Sequence, residues 1–132
     1  MEAERLTAVV CDDAPGFRAL LATMLIAEGV EVVGRGASWE EAERLVGGTR
    51  AIDAVIVDLW MPELDLEALS RVRALAPEAA LVVVTALDVG EACERIGDRG
   101  VDLVLNKLAP PTRTAQAIAE RARRRHAAAG RG

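Results

Sequence analysis

The chain has no tyrosine, a single phenylalanine, Phe17, and two tryptophans, Trp39 and Trp60. None of these rings lies among the arginines near the C-terminus, Arg121, Arg123, Arg124 and Arg125, so that stretch lacks the interleaved aromatics of a nucleic-acid surface. Arginines also suit a helix C-terminus, where they oppose the dipole. A solvated helix end is expected there, and direct DNA binding is not. Two cysteines, Cys11 and Cys93, are too few for a disulfide framework or a thiolate metal site. Cys11 lies in an apolar run and Cys93 on the stripe Val89, Ala92, Cys93, Ile96, so both are expected as buried thiols in a reducing cytoplasm. No apolar run approaches a membrane span, and the acidic start Met1-Glu2-Ala3-Glu4 is unlike a signal peptide; the expected location is cytoplasmic. Neither G-x-x-x-x-G-K nor G-x-G-x-x-G occurs, which argues against a nucleotide-binding module. Lysine occurs once, at Lys107, so a role that needs a lysine ammonium can fall nowhere else. His126, alone near the end, is not expected to be a ligand.

What is present is an alternation of short apolar runs with helix-period segments. The 132 residues suit one domain with one core. Charge is unevenly spread: residues 1–110 carry twenty acidic and ten basic groups, whereas residues 111–132 carry six arginines and one glutamate. A domain over 1–126 followed by a basic, flexible tail over 127–132 is expected. Thr7–Cys11 reads as the first strand, ended by Asp12-Asp13. A helix follows from about Pro15 to Glu28, with Gly29 fitting its left-handed cap. Glu31–Val33 reads as a short second strand, and Ser38-Trp39-Glu40-Glu41 as a capping-box start for a helix that Gly47-Gly48 ends. Trp39 is expected half exposed at that helix start. Ala54–Val57, four small or branched apolar residues, reads as a strand buried on both faces and ending on Asp58. Asp65 caps a third helix that stops before Pro77. Leu81–Thr85 is the fourth strand, Asp88 and Glu91 open a helix that ends near Gly100, and Leu103–Asn106 is the fifth strand. A last helix, from about Thr112, buries only Ala115, Ile118, Ala119 and Ala122. Five strands alternating with five helices predict an α/β fold with a doubly wound parallel sheet.

In such a sheet the ligand crevice lies outside the carboxyl ends of the strands. That rim would collect Asp12 and Asp13 after the first strand, Asp58 after the third, Thr85 ending the fourth and Lys107 after the fifth. Carboxylates held close repel one another, so a divalent cation is needed to keep them ionised. All-oxygen ligands point to Mg²⁺ or Mn²⁺ rather than zinc. A hydroxyl and an ammonium beside that metal complete a pocket for a tetrahedral dianion.

At these residues the sequence resembles a bacterial response-regulator receiver domain. The matching stretches are Val9-Val10-Cys11-Asp12-Asp13, Val55-Ile56-Val57-Asp58-Leu59-Trp60-Met61-Pro62, Leu81-Val82-Val83-Val84-Thr85-Ala86, and Gly100-Val101-Asp102 through Lys107. The resemblance covers about residues 5–126. Asp12-Asp13-Ala14-Pro15, with Arg18 following, also looks like the branch that carries helix-turn-helix output domains. The resemblance implies a flavodoxin-like sheet of strand order 2-1-3-4-5 and a phosphorelay switch rather than an enzyme. Asp58 would accept a phosphoryl group from a sensor histidine kinase or a small acyl phosphate. Asp13, Asp58 and the backbone carbonyl of Trp60 would bind Mg²⁺, with Asp12 acting through water. Thr85 would bond the phosphoryl oxygens and Lys107 would pair with the phosphoryl group. The implied partners are the kinase, an output domain or effector at the face of the fourth helix, fifth strand and last helix, and a second copy of the chain.

Three departures stand out. Leu108 follows Lys107 where the family usually has proline, so a trans bond is expected. Val104 takes the family's aromatic switch position, and Asp65-Leu66 stands for the usual Asp-Gly. Two other readings remain beside the switch. A pseudo-receiver would work through protein contacts alone, whereas a Mg²⁺-dependent phosphohydrolase would want an acid–base aspartate where Trp60 stands.

Overall fold

The computed structural model describes residues 5–130. The elements alternate from β1 (Leu6–Cys11), α1 (Pro15–Ala27), β2 (Val30–Gly36) and α2 (Trp39–Gly47) to β3 (Ala54–Val57) and α3 (Leu66–Leu75), then β4 (Ala80–Thr85), α4 (Val89–Ile96), β5 (Leu103–Asn106) and α5 (Pro111–Ala128). The sheet is parallel in the order β2-β1-β3-β4-β5. Side chains alternate across it. Val9, Cys11, Val55, Val57, Leu81 and Val83 meet α2, α3 and α4 on one face, and Ala8, Val10, Ile56, Val82 and Val84 meet α1 and α5 on the other. β1, β3 and β4 are buried throughout apart from Thr7, which is why they read as unbroken apolar runs.

The helix starts follow their capping residues. Ser38 Oγ accepts from Glu41 N at 3.1 Å, Asp65 Oδ1 from Ala68 N at 3.0 Å, and Asp88 Oδ2 from Glu91 N at 3.1 Å. Several expectations need correction. β2 runs on to Gly36 because a bulge between Val32 and Gly34 resets the pleat and turns Gly34 and Gly36 inward. A Cβ on Gly36 would meet Cys11 Sγ and Glu41 Cβ at 3.2 Å, so glycine there admits α2. Trp39 is buried rather than half exposed: its indole Nε1 donates to Leu59 O at 3.3 Å and Glu63 O at 3.2 Å. Cys93 is exposed, because the eight-residue α4 buries only Ala92 and Ile96; Cys11 is buried as expected. The helix predicted to reach Gly100 stops at Ile96, and α5 passes through residue 126 to Ala128. The arginines on α5 are not all solvated: Arg121 Nη1 donates to Asp102 O at 2.6 Å and Arg125 Nε lies 3.4 Å from Asp102 Oδ1. Among the described residues the Met61–Pro62 bond alone is cis, so Lys107–Leu108 is trans.

Candidate functional site

Asp12, Asp58 and Lys107 each sit one step past an apolar strand, with their own amides still in the ladder. Asp12 N donates to Gly36 O (2.9 Å), Asp58 N to Cys11 O (3.2 Å) and Lys107 N to Thr85 O (2.8 Å). The backbone is thereby fixed by the sheet while the side chains project beyond it. Lys107 Nζ joins two of the carboxylates, 2.7 Å from Asp12 Oδ2 and 3.0 Å from Asp58 Oδ2. Asp13, which is exposed, completes a set in which one oxygen from each of Asp12, Asp13 and Asp58 lies within 4.8 Å of the others.

The electrostatics are unbalanced, with three carboxylates against one ammonium. Burial pushes the Asp58 carboxyl above its usual range, and the Lys107 ammonium only partly offsets this. Burial also works against the Lys107 charge, but Asp12 and Asp58 together outweigh it and hold that group above its ordinary value. A hard divalent cation fits this donor set, which is all oxygen and carries two uncompensated negative charges.

The surroundings hold these groups in place. Asp12 Oδ1 accepts from Ala14 N at 2.9 Å, and Arg18 Nη1 donates to Asp12 O at 2.7 Å. Leu59 and Met61 anchor the loop after Asp58 in the core, and Trp39 hydrogen-bonds its carbonyls. Trp60 N donates to Asp58 Oδ1 at 3.4 Å, while its exposed indole lies 5.9 Å from the Arg95 guanidinium of α4. Thr85 stands at the same rim, and its Oγ1 accepts from Leu87 N at 3.3 Å, which leaves the hydroxyl proton to donate. The structure therefore brings Asp12, Asp13, Asp58 and Lys107 into one cluster, with Thr85 ending the neighbouring strand. Two supporting residues escaped the sequence reading. Phe17 places its ring 4.7 Å from Lys107 Nζ, and the Asn106 side chain bonds both flanking loops. That α1 starts two residues after Asp13 was the available signal for Phe17, since the first turn must then overhang the rim.

Residues 8–119 match the family described as the response regulator receiver domain. The chain belongs to that family. A curated relative, the protein-glutamate methylesterase/protein-glutamine glutaminase 3 of Hahella chejuensis (strain KCTC 2396), is 32% identical over 85 residues. That match covers 64% of this chain but 24% of the relative, so the receiver domain spans about a quarter of that protein's length. Among solved structures, a CheY-like receiver domain protein from Methanospirillum hungatei JF-1 superposes with a TM-score of 0.83 at 19% identity, over 95% of this chain and 99% of that one. The signal receiver domain of the putative response regulator NarL from Mycobacterium tuberculosis gives 0.80 at 24%, over 92% and 98%. A Burkholderia pseudomallei response regulator with a phosphorylated aspartic acid, calcium ion and citrate gives 0.76 at 24%, over 93% and 72%. The receiver domain is thus that of a two-component response regulator. Among the described residues, no helix is long and apolar enough to cross a membrane.

Proposed function

We propose that this receiver domain accepts a phosphoryl group on Asp58 from a phosphohistidine of a sensor histidine kinase, or from a small acyl phosphate. The observation that carries the reading is the Lys107 ammonium clasped between Asp58 and Asp12, with Asp13 in the same cluster. An Asp58 carboxylate oxygen attacks phosphorus, the bond from phosphorus to the donor nitrogen breaks, and the electron pair leaves with the imidazole. Such a transfer asks the protein for positioning and charge neutralisation more than for covalent help. Lys107 supplies part of that charge and holds the Asp58 oxygen in place. Asp13, Asp58 and the Trp60 carbonyl would hold Mg²⁺, with Asp12 acting through water. When bound, the ion supplies the remaining positive charge against the carboxylates and the incoming phosphoryl group. Thr85 serves the product state, its hydroxyl donating to a phosphoryl oxygen. The aspartate that a rapid phosphohydrolase would want is replaced by Trp60, which supports a switch over a turnover enzyme.

The phosphorylated form is read in the cytoplasm by an output domain, an effector or a second copy, at the face of α4, β5 and α5. In support, β5 is an edge strand and only half buried, and α4 is short and lightly anchored. Incubating the protein with acetyl phosphate and Mg²⁺ and reading intact mass tests the proposal. One added phosphoryl group, absent without Mg²⁺ and absent in Asp58→Asn, is expected. Equal labelling of Asp58→Asn would reject Asp58 as the acceptor.

A further inference from the structure

Asn106, the last residue of β5, is bound at both ends of its amide. Its Nδ2 donates to Leu87 O at 2.9 Å and its Oδ1 accepts from Leu108 N at 2.7 Å. These partners fix the orientation, since a flipped amide would set donor against donor and acceptor against acceptor. The side chain therefore ties the loop that follows Thr85 to the loop that follows Lys107. Leu87 has both of its backbone polar groups engaged: N–H on the Thr85 hydroxyl and C=O on Asn106. Thr85 shares its hydroxyl with this loop, so the position of the loop helps set where that hydroxyl points. Val104, which carries no ring, packs into the core on the sheet face of α2, α3 and α4. Among the described residues the Asn106 amide is thus the side-chain hydrogen bond that joins the two loops.

We propose that Asn106 is a positioning residue that latches the β4–α4 loop in its resting arrangement and so sets how readily Thr85 turns to a phosphoryl group. The inference rests on Asp58 being the acceptor. A latch of this kind lowers the fraction of molecules in the receptive arrangement, and apparent affinity for a phosphoryl group falls with that fraction. Breaking the latch raises it. A purely structural bond at a strand end would act in the opposite sense, because its loss would loosen the site and slow the reaction.

The test compares the native chain with Asn106→Ala and with Asn106→Leu. The leucine removes the amide while keeping its bulk, should the alanine variant fail to fold. Two quantities are read: the rate of acetyl phosphate labelling with Mg²⁺ by intact mass, and the beryllofluoride concentration that half-saturates the change in tryptophan emission. The expected result is labelling about threefold faster, or more, with a matching tightening toward beryllofluoride, together with a lower thermal midpoint without ligand. Unchanged or slower labelling in a folded variant overturns the latch. Absence of labelling in the native chain would instead overturn the acceptor reading.

Discussion

The two ends of the sheet bury carboxylates in opposite ways. At the N-terminal pole, Asp102 accepts from Leu81 N at 2.8 Å and from Arg73 Nη1 at 3.1 Å, with Arg125 alongside. Asp53, at the same pole, accepts from Thr7 N at 2.9 Å and lies 2.7 Å from His126 Nδ1. Both carboxylates have backbone and side-chain partners, as Asp12 and Asp58 also do, but the Asp102 cluster holds more cations than carboxylates. At the C-terminal rim, three carboxylates cluster beside one ammonium, which pairs with two of them. A buried charge that is matched holds the fold together, whereas one left in excess is available to a ligand that brings the missing charge. The same residue type therefore reports stability at one end and chemistry at the other.

The comparison breaks most sharply on reactivity. Asp58→Asn should abolish acetyl phosphate labelling, a loss of at least 100-fold by intact mass, whereas Asp102→Asn should still be labelled wherever it remains folded. Labelling lost equally in both would mean the poles are not separate in function.

The next effect is on stability. Asp102→Ala leaves Arg73 and Arg125 without their carboxylate and Leu81 N without an acceptor. Removing one partner of a partly buried pair costs about 3 kcal/mol, which denaturant unfolding would measure as a lower midpoint at unchanged slope. A change under about 0.5 kcal/mol, the range of ordinary surface substitutions, would show that this cluster does not support the fold.

How much of this contrast was legible follows from locality. Strand-end carboxylates announce themselves, because an apolar run that stops on Asp58 or Asp12-Asp13 marks both the element and its polar terminus. The parallel, doubly wound sheet follows from the alternation of runs and from right-handed crossovers, whereas its order came from the family resemblance. The N-terminal pole carries no such mark. Asp53 and His126 are 73 positions apart and Arg73 and Asp102 are 29 apart, so nothing local pairs them. Trp39 was misread for a related reason: a residue at a helix start faces solvent unless a distant loop, here Leu59–Glu63, comes to cover it. Thr85 was placed at the rim, but the direction of its hydroxyl is decided by Leu87 and Asn106, which composition alone does not reveal.

A third prediction sharpens the electrostatic side. If the rim is short of positive charge, Mg²⁺ should stabilise the folded chain. At a free concentration ten times its dissociation constant the gain is about 1.4 kcal/mol, or roughly 5 °C in a domain of this size. The shift should shrink in Asp13→Asn and persist in the milder variant Asp102→Asn. Calorimetry of the three proteins with and without Mg²⁺ decides it, and an equal shift in all of them would remove the ion from the rim.

The smallest effect is the most specific to the comparison. Burial raises the Asp58 carboxyl above its ordinary value even with Lys107 beside it, so the ionised form is less comfortable in the folded chain than in the unfolded one. The folded state then binds the proton more tightly, and stability falls as pH rises from the ordinary carboxylate value through the raised one. In acid, below the ordinary carboxylate value, the penalty is absent, and it grows as pH rises through the raised one. Without metal, Asp58→Asn should therefore raise the thermal midpoint at neutral pH, and this gain should vanish in acid, below the ordinary carboxylate value. Lys107 keeps Asp12 as a partner in that variant, so no ammonium is stranded. The opposite sign, a loss comparable to that of Asp102→Ala, would mean that the Lys107–Asp58 pair holds the fold as the N-terminal pole does, and that the excess of negative charge at the rim carries no cost.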